Sequence, residues 1–288
     1  MSTVESTRSA KRVRPFVKWV GGKSRLIPRF NAQSLLPENF NTYYEPFLGG
    51  GAMFFHLAPS YATLNDVNPR LISVYEVIRD QTDSLIDVLT VLEKKYRAIP
   101  TESRKDFFLD IRKRFNARNS LPIEQASYLL FLNKTAFNGM YRENSRGEYN
   151  VPFGSYVQPK ICDEDNIRQT ANLLSKVNLL SGSYEDAVRD AGYGDYVYLD
   201  PPYHPLNATS SFTSYSQDGF TVKDQENLRK VFGELDKRGA KVMMSNSDTP
   251  FIRDLYSDFR QEKVSAGRSI NSKGLQRGNI LELVVLNY

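Results

Sequence analysis

Tyr43-Tyr44-Glu45-Pro46-Phe47-Leu48-Gly49-Gly50-Gly51-Ala52, followed by the apolar run 53–58, reads as a strand, a glycine loop and the start of a helix. That order makes a glycine-rich stretch credible as a nucleotide cradle, because glycine tolerates positive φ and lets a ligand approach the backbone closely. The loop lacks the third glycine of a dinucleotide fingerprint, and no Lys-Ser/Thr follows as in a phosphate-binding loop. Ala62-Thr63-Leu64-Asn65-Asp66-Val67-Asn68 looks like the next strand, ending in an acid. Asp66 falls 15 positions after Gly51, near where such folds set a carboxylate on ribose hydroxyls. An acid capping a helix fits the same letters.

Further along, Tyr196-Val197-Tyr198-Leu199 reads as a buried strand that runs into Asp200-Pro201-Pro202-Tyr203. Proline cannot donate to a ladder, so Pro201 ends the strand and leaves nearby carbonyls without their usual partners. Asp200 and such a carbonyl make two adjacent acceptors, and Tyr203 supplies a flat apolar face. The combination suits a planar heterocycle carrying an NH2 group, with the amine hydrogens gripped and the ring stacked. An ordinary strand-ending turn also uses Asp and Pro.

The spacing predicts strands at 42–45, 61–64, 177–181, 196–200, 241–245 and 280–287. Helices are predicted at 23–36, 53–58, 70–79, 83–99, 103–116, 123–137, 164–176 and 222–238. The repeat Leu85, Val88, Leu89, Leu92, Tyr96 has helical period. Strands alternate with helices in two blocks, which implies an α/β fold with a mostly parallel sheet covered on both faces. Between the blocks the alternation stops, so 69–162 reads as an inserted, mostly helical domain; 15–68 and 163–288 form the sheet domain. Residues 1–14 are polar and read as a disordered basic arm.

A hydrophobic fraction of 40% and a charged fraction of 25% are ordinary for a globular chain with a sizeable core. Cys162 is the only cysteine, so no intrachain disulfide can form and a reducing cytoplasm fits. With two separated histidines, His56 and His204, no zinc site is expected. No apolar stretch is long enough to span a bilayer, and nothing in the sequence demands a protein partner. The net charge of +5 is unevenly placed. Arg8, Lys11, Arg12, Arg14, Lys18, Lys23, Arg25 and Arg29 precede position 36 against Glu5 alone, and Lys263, Arg268, Lys273 and Arg277 form a second basic run. Phosphate attraction is one reading, a solvated arm the other.

Four blocks stand in the order found in the α-class (D12) DNA adenine-N6 methyltransferases. They are Phe16-Val17-Lys18-Trp19-Val20-Gly21-Gly22-Lys23, Pro46-Phe47-Leu48-Gly49-Gly50-Gly51, Leu64-Asn65-Asp66 and Asp200-Pro201-Pro202-Tyr203. The chain resembles that family from about Pro15 to its C-terminus. The stretch Asn138-Gly139-Met140-Tyr141-Arg142-Glu143-Asn144-Ser145-Arg146-Gly147-Glu148-Tyr149-Asn150-Val151-Pro152-Phe153-Gly154 is similar to the target-recognition hairpin of the GATC-specific members.

The resemblance implies a Rossmann-like sheet binding S-adenosyl-L-methionine, an inserted target-recognition domain carrying a β-hairpin, and double-stranded DNA as partner. It implies a place in the cytoplasm, at the nucleoid of a prokaryote or a phage-infected cell. It assigns catalysis to Asp200, Pro201, Pro202 and Tyr203. Cofactor contacts go to Trp19, Lys23, Phe47, Gly49, Gly51, Asp66, Tyr184 and Asp200, with Lys23 a partner for the methionine carboxylate. DNA contacts go to Lys18, Lys134, Phe137, Asn138, Met140, Arg142, Arg146 and Pro152. Among these Arg142 reads a guanine edge, Met140 and Pro152 meet a thymine methyl, Phe137 wedges into the duplex, and Lys134 and Arg146 hold phosphates. The loop 210–220 is a candidate cover for a flipped base. Adenine in another sequence or in RNA, a protein glutamine amide, and an inert DNA-binding homologue are the competing readings. Glutamine-modifying relatives usually carry Asn where this chain has Asp200.

Overall fold

The computed structural model describes residues 13–206, 220–266 and 280–288. Among the described residues, seven strands form one sheet: β1 (Tyr43–Glu45), β2 (Ala62–Asp66), β3 (Val177–Ser181), β4 (Tyr196–Leu199), β5 (Lys241–Ser247), β6 (Arg260–Ala266) and β7 (Ile280–Leu286). Their order is β3-β2-β1-β4-β5-β7-β6. Pairing from β3 across to β5 is parallel; β7 runs antiparallel to both β5 and β6. β1 therefore lies between β2 and β4, at the point where strand order reverses. Ligands of open α/β sheets gather beyond the carboxyl ends of the strands at such a point.

The helices are α1 (Ile27–Ala32), α2 (Ala52–Leu57), α3 (Pro69–Asp80), α4 (Thr82–Ala98), α5 (Arg104–Ala117), α6 (Pro122–Thr135), α7 (Glu164–Leu174), α8 (Tyr184–Ala187), α9 (Val222–Lys237) and α10 (Pro250–Leu255). One continuous core joins a sheet face to the middle section: Leu64, Tyr75, Leu89, Phe115 and Phe131 all belong to it and are almost completely buried. Helix α3 is the hinge of this arrangement, packing on β2, β3 and α7 as well as on α6. The other face, with Val197, Leu199, Leu228, Phe232, Val242 and Met244, forms a second core beneath α9.

Several elements depart from the sequence expectation. The helix expected at 23–36 breaks into a 3-10 turn, Lys23–Arg25, and the short α1, because Pro28 in its first turn has no N–H to continue an earlier helix. β6 was not expected at all. Its sequence, Arg-Gln-Glu-Lys-Val-Ser-Ala, lacks apolar alternation because it is an edge strand, and charged side chains protect exposed edges. The expected β-hairpin is an irregular turn held by two isolated antiparallel bridges, Ala136↔Phe153 and Glu143↔Tyr149. Residues 1–12 of the expected arm, 210–219 of the expected cover, and Arg268, Lys273 and Arg277 lie outside the described residues. Arg14, read as the end of the arm, is held by Asp163 at 2.7 Å and by backbone bonds with Asn166.

At the end of β1 sits Glu45, 3% exposed. Helix α2 starts at Gly51, which has no side chain to cap it. The cap comes instead from β1: Glu45 Oε2 accepts from the Phe54 amide at 3.1 Å and from the Tyr43 hydroxyl at 2.9 Å. Burial pushes the Glu45 carboxyl up to about 8. A carboxyl raised in the folded state stabilises the fold when protonated and loses that contribution as pH rises toward the folded value. Glu45→Gln keeps an oxygen for both donors and cannot ionise. The stability of the native chain relative to this variant should therefore fall between about pH 5 and pH 8, by up to about 1.4 kcal/mol per pH unit, the limit for one proton. Urea midpoints across that range measure it; a difference that does not change with pH would contradict the assignment.

Candidate active site

Asp200 follows β4 directly and lies at the carboxyl edge of the sheet. Lys23, from the 3-10 turn before α1, places its Nζ 2.7 Å from the Asp200 carboxylate and 2.6 Å from the Gly21 carbonyl. The lysine is 4% exposed. Its Nζ also stands 4.8 Å from the centre of the Tyr203 ring. The Tyr203 hydroxyl donates to Glu282 on β7 at 2.7 Å. Burial raises the Asp200 carboxyl to about 6; the Lys23 cation opposes that shift and Glu282 adds to it. Asp200 is thus a desolvated acid held in one orientation by one cation. The sequence expectation put Lys23 on a cofactor carboxylate, whereas here its cation faces Asp200.

The glycine loop after β1 is shaped by aromatic neighbours. Gly49 has φ +49, and a Cβ there would stand 2.8 Å from Trp19 Cδ1. Gly51 has φ +66, and its Cβ would meet the Tyr75 hydroxyl at 2.9 Å. That hydroxyl donates to the Gly49 carbonyl at 3.0 Å. Asp66, at the end of β2, accepts from the Gly49 amide and the Asn68 amide, both at 2.9 Å, so it ties the loop to the next strand; burial raises its carboxyl. Phe47 stacks on Tyr184 with ring centres 5.2 Å apart, and Phe220 stands edge-on to Phe47 at 6.1 Å. Trp19 covers Gly49, Asp66 bonds Gly49 and Phe47 meets Tyr184, while Asp200 follows the neighbouring strand β4 on the same edge of the sheet. Val67, straight after Asp66, is 78% exposed and adds bare apolar surface there.

Of the segments expected on DNA, those of Lys18 and Gly139 are held together by Asn133 of α6. Its side chain exchanges bonds with the Lys18 backbone, accepting from Lys18 N at 2.9 Å and donating to Lys18 O at 2.8 Å, and it also donates to Gly139 O at 2.9 Å. Lys18, Phe137, Asn138, Arg142, Arg146 and Pro152 are exposed, and Met140 is half-buried. Asn138 has φ 55, a left-handed conformation that asparagine tolerates. Arg142 is laid along the turn by its Nε bond to Asn150 Oδ1 at 2.7 Å. Arg146 stands beside Glu148 at 3.5 Å. Lys134 departs from its expected place on phosphate: its Nζ is turned inward to the Phe16 carbonyl at 2.6 Å, and burial lowers it to about 8. Trp19 stacks on Tyr141 at 5.1 Å, so one ring joins the glycine loop to the turn.

Sequence reading missed Glu45, Glu282 and Gln225. Glu45 lay within the quoted strand, but nothing in its letters signalled a helix cap. Gln225 donates to the Pro202 carbonyl at 3.0 Å and Asn246 receives the His204 amide at 3.0 Å, both across long sequence separations. His204 turns its ring toward Phe251 and Thr249, and burial lowers it.

S-adenosyl-L-methionine fits these groups. Asp66 sets a carboxylate at the end of β2, where such folds place a ribose ligand, and Asp200 offers negative charge for a sulfonium. A family model for D12 class N6 adenine-specific DNA methyltransferases matches residues 19–270. The chain is 42% identical over 283 residues to the type II methyltransferase M1.LlaDCHI of Lactococcus lactis subsp. cremoris, covering 96% of each. It is 41% identical over 287 residues to the type II methyltransferase M.MjaIII of Methanocaldococcus jannaschii, covering 96% of this chain and 99% of that one. It is 34% identical over 276 residues to the DNA adenine methylase of Escherichia coli (strain K12), again covering 96% of each. With its mostly parallel sheet, glycine loop and Asp-Pro-Pro-Tyr edge, the chain belongs to the D12 class of N6 adenine-specific DNA methyltransferases, enzymes that take their methyl group from S-adenosyl-L-methionine.

Proposed function

We propose that this enzyme methylates the N6 amine of an adenine extruded from duplex DNA, with 5'-GATC-3' as its target word. The observation that carries the chemistry is the Asp200 carboxylate, desolvated and oriented by Lys23, at the edge where the glycine loop of the neighbouring strand ends. An adenine amine is a poor nucleophile because its lone pair is delocalised into the ring. The Asp200 carboxylate and the Pro201 carbonyl accept its two hydrogens, which draws the nitrogen toward tetrahedral geometry and concentrates charge on it. S-adenosyl-L-methionine supplies a methyl group on a sulfonium centre, open to in-line displacement by that nitrogen. Asp200, raised to about 6, can take up the proton the methylated amine releases. Tyr203 offers its ring to stack on the base, its hydroxyl fixed by Glu282. An N6 amine inside a duplex is out of reach of such a pocket, so the adenine is flipped out.

Residues 69–162 form the target-recognition part, and 15–68 with 163–288 the catalytic part. Arg142, steadied by Asn150, reads a guanine edge, the commonest specific contact in the major groove. Met140 and Pro152 offer apolar contact to a thymine methyl, Phe137 enters the duplex, and Asn138 fills the space the flipped base leaves. Lys18 contacts a guanine and Arg146 a phosphate. The similarity of the Asn138–Gly154 sequence to GATC-specific members supports the word. Asp66 holds the ribose of the cofactor while the Phe47–Gly51 loop runs beneath its methionine portion. No helix of the described residues is long and apolar enough to cross a membrane.

Asp200→Ala should lower the single-turnover rate by at least about 100-fold, the lower range for a group that handles a proton, with duplex binding retained. A rate near that of the native chain would remove Asp200 from the chemistry. Because the carboxylate is the accepting form, kcat/KM should fall as pH drops below about 6, and a rate flat down to about pH 4 would contradict that assignment. Arg142→Ala should cost about 1–3 kcal/mol on the cognate word and relax preference at one base pair. Equal weakening on all sequences would make Arg142 a phosphate contact. Single-molecule sequencing of DNA treated with the enzyme reports the modified atom and the word together; a different word or an unmodified N6 would overturn the proposal.

A further inference from the structure

Two prolines in a row after Asp200 create a problem of choice. Neither has an N–H, so the segment can be held only through its carbonyls or by the residues beyond it. The two carbonyls are chemically alike, yet only one can join Asp200 in gripping an amine. Gln225, in the first turns of α9, donates its Nε2 to the Pro202 carbonyl at 3.0 Å. Gln225 Oε1 accepts from Asn246 Nδ2 at 3.1 Å. Asn246, in β5, uses its Oδ1 to accept from the His204 amide at 3.0 Å and the Ser247 amide at 2.8 Å. Both amide side chains are completely buried. Their pairing therefore holds the chain at Pro202 and at His204, on either side of Tyr203, from helix α9 and strand β5.

We propose that the Gln225–Asn246 amide pair is the positioning device of the methyl-transfer site: it engages the Pro202 carbonyl and so leaves the Pro201 carbonyl beside Asp200 for the substrate amine. This rests on the reading of Asp200 and Pro201 as the acceptors of the two N6 hydrogens. A glutamine suits the place because it must donate on one side and accept on the other, which a side-chain amide does without a charge. A carboxylate would turn two acceptors toward the Pro202 carbonyl and leave it unpaired. A protonated carboxylic acid, by contrast, reproduces the pattern, donating through O–H to Pro202 and accepting from Asn246 through C=O.

That difference gives a test on the full chain. Single-turnover N6-methylation of a duplex containing the target word is measured for the native enzyme, Gln225→Glu, Gln225→Leu and Asp200→Ala. The pH series has descending and ascending arms on one preparation, and DNA and S-adenosyl-L-methionine affinities are measured alongside. Gln225→Leu should lose about 10–100-fold in rate at every pH, the scale of a misplacement of about 1 Å, with both affinities near native. Gln225→Glu should match the native rate at the acid end and fall away from it reversibly as pH rises and the introduced acid ionises. Should the leucine variant fail to fold, the glutamate variant decides alone, since recovery on acidification requires folded protein. A glutamate variant whose rate follows the native pH profile throughout, while Asp200→Ala is inactive, would overturn the positioning role. An active Asp200→Ala would instead overturn the amine clamp on which it stands.

Discussion

Everything in the site depends on the parallel pairing of β1 with β4, in which Tyr43 and Tyr44 lie opposite Tyr196 and Val197. These strands are about 150 residues apart in sequence, and no tight turn can join parallel neighbours. Because the pairing is parallel, both strands end on the same edge. The glycine loop that follows β1 and the Asp-Pro-Pro-Tyr turn that follows β4 are thereby delivered side by side. An antiparallel arrangement would have placed them at opposite ends of the sheet. The four tyrosine and valine side chains at this seam are buried, so the register is held by the core itself.

Charge at that edge is arranged around the buried cation of Lys23. Lys23 faces Asp200, while Glu45 and Glu282 lie near enough to affect the same acid and its neighbours. Carboxyls in a desolvated place do not ionise cheaply, and Glu45 and Asp200 are both raised. The division of labour follows from their partners. Glu45 is bonded by a hydroxyl and a helix amide, Glu282 by the Tyr203 phenol, and Asp200 by the Lys23 ammonium. Buried ion pairs add little to stability on balance, and their use here is orientation.

Trp19 joins the glycine loop to the 137–152 turn. One ring covers Gly49 and Gly50 of the loop and stacks on Tyr141 of the 137–152 turn, and the adjacent Lys18 backbone is bonded to Asn133, which in turn holds Gly139. The 137–152 turn and the glycine loop are thus in contact through two neighbouring residues, Lys18 and Trp19. Helix α3 does the same at larger scale, since it packs on the sheet and on α6 together. Tyr75, from that helix, bonds the Gly49 carbonyl, so the inserted section helps shape the glycine loop.

Much of this was legible from local pattern. The strand, glycine loop and helix at 43–57, the acid after β2, and the strand running into Asp200 follow from apolar runs and from what glycine and proline can and cannot do with a backbone. Those are properties of short stretches, and short stretches determined them. β6 was invisible because an edge strand is charged where a buried one would be apolar, and the broken helix at 23–36 because its periodicity outlasted its hydrogen bonds. The roles of Glu45, Glu282, Gln225 and Asn246, and the inward turn of Lys134, belong to tertiary structure alone. Each depends on a partner from a different element or on burial, and neither a buried amide's partner nor an acid's dielectric surroundings is encoded in adjacent letters. Sequence by itself determined which chemical groups the chain would carry to the edge of its sheet. Only folding decided which of them face one another, because contact and desolvation exist only once distant strands are paired.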